Sequence, residues 1–317
     1  MNIKKNLPVI GLLVTATLWG TVWYPYRLLE KAGVSGEIAT LMTNLVAFAI
    51  FISIFPRAWR EFKQAPIALG ALALSVGYGY LAYILGVLTG NLMRVLLLFY
   101  LTPLWIVPLA WFILKEKISK TGYAIVSLAL CGAMIILWNP SIGLPLPVSV
   151  AEWLGLSAGF SFALANVLVR RAADCSIGVR TLSTSLGTVI AASIAVLLKI
   201  EISTPMLGAV YNSGVLILII GVLVVLMSLS AQYGLSNVPA VQANIILLFE
   251  LVVAAIASFF LTDETIGPKE WVGGAIILIA SLFTDEVKAT PDITENTTSP
   301  TGTAPAIATY PVKETGD

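Results

Sequence analysis

Long apolar runs, separated by short polar or charged breaks, recur along nearly the whole chain. A bilayer core about 30 Å thick is crossed by a helix of roughly 20 apolar residues. Ten stretches of that order can be marked: approximately Leu7 to Leu29, Ile38 to Phe55, Pro66 to Leu88, Asn91 to Leu114, Lys120 to Trp138, Ala151 to Ala172, Val179 to Lys199, Ser213 to Leu235, Pro239 to Leu261 and Pro268 to Thr284. Between Gly86 and Arg94 no charge separates the third stretch from the fourth, and Gly90 with Asn91 supplies the turn. The pattern predicts an all-α integral membrane protein with ten transmembrane helices. From about Asp285 the chain becomes rich in Thr, Pro and Ala with scattered acids. Such a segment buries too little apolar surface to offset its ordering entropy, so residues 285–317 are expected to be a disordered, solubilising tail.

Composition agrees with this pattern. Of 317 residues, 58% are hydrophobic and 11% are charged, where a soluble domain carries roughly 25% charged residues. Mean hydropathy is +0.94. A soluble protein of this make-up would have too little polar surface to face water, so lipid is the expected surroundings. The short basic start, Met1 to Pro8 with Lys4 and Lys5, leads into an apolar stretch longer than a cleavable signal, which reads as the first span.

Charge placement orients the helices. With ten spans and the termini inside, inner loops collect Lys4, Lys5, Arg57, Arg60, Lys63, Lys115, Lys117, Lys120, Arg170, Arg171 and Arg180. The outer side receives only Arg27, Lys31, Lys199 and Lys269. This is the positive-inside asymmetry, and it predicts both termini in the cytoplasm of a bacterial-type inner or plasma membrane. A net charge of +1 leaves no basic footprint for nucleic acid. Histidine is absent, which removes the commonest metal ligand and general base. Cys131 and Cys175 have no metal-ligand spacing. No phosphate-binding glycine loop with its lysine is present. Neither an enzyme nor a cofactor or metal is expected.

An internal repeat changes the picture from bundle to carrier. Shifting the chain by 148 residues lays Glu116 on Glu264, Ile118 on Ile266 and Gly86 on Gly234. A shift of 144 lays Gly11 on Gly155 and Arg27 on Arg171. The register splits the chain into five helices (1–138), a linking loop (139–150) and five more helices (151–284). An odd number of spans per copy forces the copies into opposite orientations. Inverted repeats of this kind recur in carriers that rock around a site near the midplane.

Several segments resemble the EamA-type carriers of the drug/metabolite transporter superfamily. They are Leu18-Trp19-Gly20 in the first helix, Leu101-Thr102-Pro103-Leu104 through Lys115-Glu116-Lys117-Ile118 in the fourth, and Glu250-Leu251-Val252-Val253 through Asp263-Glu264-Thr265-Ile266 in the ninth, followed by Gly273-Gly274. The resemblance implies two inverted five-helix repeats, a central cavity and alternating access for small organic solutes, often efflux of amino acids or related metabolites. That family usually has Glu-Pro where this chain has Glu250-Leu251, so a straighter ninth helix is open to it. The alternative function is a non-transporting receptor or assembly partner that uses the tail as its contact.

Polar groups inside spans are costly and mark candidate sites. Glu250, about ten residues into the ninth helix, is a candidate for proton coupling or for a substrate amine; a carboxyl tying two helices together is the competing role. Arg94, near the start of the fourth helix, would attract a substrate carboxylate, pair with an acid when an outer gate closes, or snorkel to headgroups. Asn166, Asn244, Gln232 and Tyr233 would line a cavity or bond across helices, and Thr102 lies beside a proline break. Trp19 in the first helix and Tyr78, Tyr80 and Tyr83 in the third suit the walls of a cavity for amphipathic solutes. Pro25, Pro103 and Pro108 interrupt backbone bonding within spans and are the hinge candidates.

Overall fold

A computed structural model describes residues 3–90, 92–137, 146–199, 204–261 and 267–283. The tail, most of the linking loop, Trp138 and Glu264 lie outside these residues.

Among the described residues the chain is helical, and its helices follow the apolar stretches. They are α1 (Ile3–Lys31), α2 (Gly36–Ile54), α3 (Pro66–Thr89), α4 (Arg94–Leu114), α5 (Lys120–Leu137), α6 (Val150–Arg171), α7 (Ile177–Lys199), α8 (Gly214–Asn237), α9 (Ala240–Leu261) and α10 (Pro268–Leu282). The first nine are long and apolar enough to cross a bilayer, and α10 contributes a shorter apolar stretch, Trp271–Leu282. A short 3₁₀ helix, Ala58–Gln64, follows α2, and a short α-helix, Thr204–Asn212, precedes α8. The face of the bundle at which α1 begins is called lower, and the other upper.

Local chemistry sets the ends. Pro66 starts α3 and Pro268 starts α10, where the missing amide hydrogen costs nothing. Ser149 caps α6 by accepting from the Glu152 amide at 3.3 Å. Lys115 closes α4 in a left-handed conformation, φ 58°.

Packing follows the small residues. α3 lies against α6 and α7, α8 against α1 and α2, α4 against α6, and α9 against α1. α2 meets α7, and α5 meets α10. Gly77 of α3 and Gly187 of α7 touch backbone to backbone, and a side chain on either would overlap its neighbour's carbonyl. Gly132 and Gly273 do the same for α5 and α10: a Cβ on each would stand 2.9 and 2.6 Å from the other's carbonyl oxygen. Without a hydrophobic drive between helices in lipid, such close approach supplies the dispersion contacts that hold them. Gly11 of α1 faces Ser230 and Gly234 of α8, while Gly86 of α3 faces Ala151 and Gly155 of α6. Large apolar side chains such as Leu197, Leu198, Phe260 and Leu282 are exposed and form the lipid-facing surface.

Two helices are broken. α4 is interrupted at Tyr100-Leu101, ahead of Thr102-Pro103, and it ends in a wide π turn, Ala110–Leu114, just after Pro108. α9 is interrupted at Leu248. The straighter ninth helix that Leu251 permits is therefore not what forms. The Leu251 amide bonds the Leu248 carbonyl at 3.1 Å, as the Leu104 amide bonds Leu101 at 2.9 Å. A proline dictates the break in α4. In α9 the break coincides with tertiary packing, since Gly20 of α1 brings its backbone against the Glu250 carbonyl. α1 runs helical through Pro25 without a break.

Candidate functional site

A cavity of about 140 Å³ opens between the helices. Its aromatic wall joins Trp19 of α1, Tyr80 and Tyr83 of α3, Phe99 of α4 and Phe162 of α6. Trp19 and Tyr80 stand with ring centroids 5.4 Å apart, Tyr83 and Phe99 4.9 Å, and Phe99 and Phe162 5.6 Å. The Tyr80 hydroxyl bonds that of Tyr26 at 3.0 Å, and Tyr26 bonds Thr43 at 2.7 Å, which fixes the Tyr80 ring.

The polar wall is made by Asn44, Asn166, Thr184, Thr188 and Gln232. Asn166 and Gln232 are buried, yet Nδ2 of the first and Oε1 of the second have no hydrogen-bond partner. A buried polar atom without a partner costs roughly 1–3 kcal/mol. Both residues line the cavity, but these two atoms are themselves sealed from its open space, so a polar solute or water meets them only when the side chain turns.

Glu250 enters the cavity immediately after the break in α9 and is only 8% exposed. Tyr100, at the break in α4, donates its hydroxyl to Glu250 Oε1. The two interrupted helices thus bring a phenol and a carboxyl together. A phenol donates to a carboxylate and accepts from a carboxylic acid, so this contact survives gain or loss of the proton. Among the described residues, no group of three or more His, Cys, Asp or Glu side chains converges as a metal site.

Of the residues singled out from sequence, Glu250, Asn166, Gln232, Trp19, Tyr80 and Tyr83 meet at this cavity. The others lie elsewhere. Tyr78 is 44% exposed and bonds Ser157 at 2.8 Å. Tyr233 packs beside Gly11, and Asn244 is buried in α9 away from the cavity wall. Thr102 turns its hydroxyl back onto the Phe99 carbonyl at 2.6 Å and so satisfies backbone at the break. Asn44, Thr184, Thr188 and Tyr100 were not singled out. The four-residue spacing of Thr184 and Thr188 was the available signal, since it aligns two hydroxyls on one face of a helix.

Arg94 is tied into an ion pair. Its Nε and Nη2 fork onto Glu152 at 2.8 and 2.9 Å, and Nη2 also donates to the Leu146 carbonyl at 2.9 Å. Glu152 further accepts from the Val148 amide at 2.8 Å. This clamp joins the upper ends of α4 and α6. At their lower ends Glu116 stands 3.5 Å from Arg170, with the polarity reversed. Arg170 also donates to the Ser236 carbonyl at 2.6 Å, and Glu116 accepts from the Ala240 amide at 3.3 Å, so the turn between α8 and α9 joins this cluster.

Apolar helices long enough to cross a bilayer, packed around a mostly apolar cavity with a few polar groups, define a multi-pass helical membrane protein. The EamA-like transporter family model matches it twice, over residues 6–138 and again over residues 149–284, and the chain belongs to that family. It is 25% identical to an uncharacterized transporter of Pseudomonas aeruginosa over 177 residues, which is 54% of this chain and 56% of that protein. It is 26% identical to an uncharacterized transporter of Archaeoglobus fulgidus over 273 residues, covering 86% of this chain and 94% of that one. A solved crystal structure superposes with a TM-score of 0.68 at 14% identity, covering 86% of this chain and 95% of the other, a likeness of fold.

Proposed function

We propose that this protein is a secondary carrier that exports small organic metabolites, amino acids or related amphipathic solutes, by alternating access between two inverted five-helix halves. The observation that carries the reading is the cavity, in which an aromatic wall, unpartnered amide groups and the Glu250 carboxyl converge. Aromatic faces suit the apolar part of an amphipathic solute, and the amides suit its polar end.

The paired packing of the helices supports the inverted repeat. Exchanging the halves turns α3 against α6 into α8 against α1, and α3 against α7 into α8 against α2, and both members of each pair occur. Gly11 facing Gly234 has its counterpart in Gly155 facing Gly86, the same residues that the shifts of 144 and 148 equate. The two breaks, at Leu101 and Leu248, also correspond. In this reading the lower face is cytoplasmic, and the two α4–α6 ion pairs lie at opposite membrane faces. Glu250 is the coupling residue, with protons as the coupled ion.

Flux in reconstituted vesicles tests the proposal. Purified full-length protein is expected to move at least one solute from a broad panel of amino acids and amphipathic metabolites faster than empty vesicles do. Absence of flux across the whole panel would overturn it.

A further inference from the structure

The basic residues of the lower face are not all alike. Arg57 and Arg60 are exposed, as charges that orient helices in a bilayer generally are. Arg180 is 2% exposed and heads the fully buried side chains by volume. Among the described residues its side chain makes one hydrogen bond, from Nη1 to the Val169 carbonyl at 3.4 Å; its Nε has no partner, and no carboxylate pairs with it. Leaving a buried guanidinium uncompensated is among the costliest arrangements a protein keeps.

Arg180 also lies in line with the cavity. Arg180, Thr184 and Thr188 are spaced by four residues and share one face of α7, and both threonines line the cavity wall. Val169 of α6, which Arg180 contacts, lines it too. Arg180 is not itself among the residues lining the cavity; it lies one helical turn below Thr184, toward the lower face, with its side chain buried against Val169. The symmetry that relates the halves does not extend to it. At a shift of 144, Thr40 and Asn44 of α2 correspond to Thr184 and Thr188, but Gly36 takes the place of Arg180. One end of the site carries a cation, and the matching end does not.

We propose that Arg180 is an anion-recognition residue of this site, binding the carboxylate of an organic solute as it enters from the lower face. The inference rests on the carrier reading above and names the class of solute. A guanidinium presents a planar fork that matches a carboxylate, and the bond is charge-assisted on both sides. A single cation balances a monoanion. A phosphate dianion would need a second cation. The aromatic wall then takes the apolar remainder of the solute.

The test uses full-length protein in nanodiscs, melted in the presence of benzoate, benzamide or phenyl phosphate, as wild type, Arg180→Gln and Arg180→Lys. Benzoate is expected to raise the wild-type melting temperature and benzamide to leave it unchanged. In Arg180→Gln the half-saturating benzoate concentration is expected to rise about ten-fold or more, the scale of one charged hydrogen bond. Arg180→Lys is expected to keep a weaker response. Without ligand, Arg180→Gln is expected to melt no lower than wild type, because it removes an uncompensated charge. Equal effects of benzoate and benzamide on wild type would overturn the proposal, whether or not the variants fold. So would an unchanged acid-to-amide preference in Arg180→Gln, or a preference for phenyl phosphate over benzoate. Vesicle flux separates this inference from the one beneath it. Transport that ignores the carboxylate removes Arg180 and leaves the carrier. Benzoate stabilisation without flux of any solute removes the carrier and leaves the anion site.

Discussion

Glu250 and Tyr100 come from helices that are each interrupted beside them; Glu250 lines the cavity, and Tyr100 reaches it through its bond to Glu250. If the carboxyl carries the coupled proton, Glu250→Gln is expected to abolish accumulation driven by a pH gradient while leaving solute exchange partly intact. Vesicle uptake with and without an imposed gradient measures this, and unchanged concentrative transport would count against the role. Tyr100→Phe removes the hydroxyl but leaves the ring and is expected to slow gradient-driven uptake less than the loss of the carboxyl does. The Arg94 and Glu152 pair makes a different kind of claim. Each side chain is largely removed from water, at 16% and 6% exposure, and the contact is a two-bond fork. Arg94→Glu is expected to lower the melting temperature by placing two acids together. Adding Glu152→Arg to that variant is expected to recover part of the loss, and failure to recover any of it would mean that the pair does not clamp α4 to α6.

At the scale of whole helices, approach distance is the decisive quantity. Gly77 and Gly187 leave no space for a Cβ between α3 and α7. Gly187→Ala is expected to force these helices apart and to cost about 1–3 kcal/mol, the usual penalty for overpacking. Gly208, which has open space around it, serves as the control: Gly208→Ala is expected to leave the melting temperature nearly unchanged. The broken helices belong to this scale too. In α4 the interruption precedes Pro103, which cannot donate a backbone hydrogen bond. In α9 it forms without a proline, where Gly20 allows α1 to lie against Glu250.

For the molecule as a whole, the claim to check is its orientation. Exchange of the halves preserves the contact pattern, so packing alone does not say which face is inside. The basic residues break the tie, with Arg57, Arg60, Lys63, Lys115, Lys117 and Lys120 at the lower face. A fluorescent protein fused to the C-terminus is expected to fluoresce in a bacterial host, and an alkaline phosphatase fused there to stay inactive. The reverse pattern would invert the proposed topology and move Arg180 to the opposite mouth.

The sequence by itself determined the solvent and the helices, and it suggested the duplicated plan. Apolar length and the charges between spans are local quantities, and a bilayer reads them one segment at a time. It also pointed to Glu250, because an acid deep in an apolar run is conspicuous wherever the helix turns. Only the tertiary structure decided which polar residues meet. Tyr78 and Tyr80 are neighbours in one helix, yet one bonds Ser157 near the surface and the other faces the cavity beside Trp19. Arg94 and Arg180 both lie near helix starts, and packing gave a carboxylate to the first and only a carbonyl to the second. Those outcomes depend on which face each helix turns toward its neighbours, a relation among distant segments that no single stretch of chain encodes.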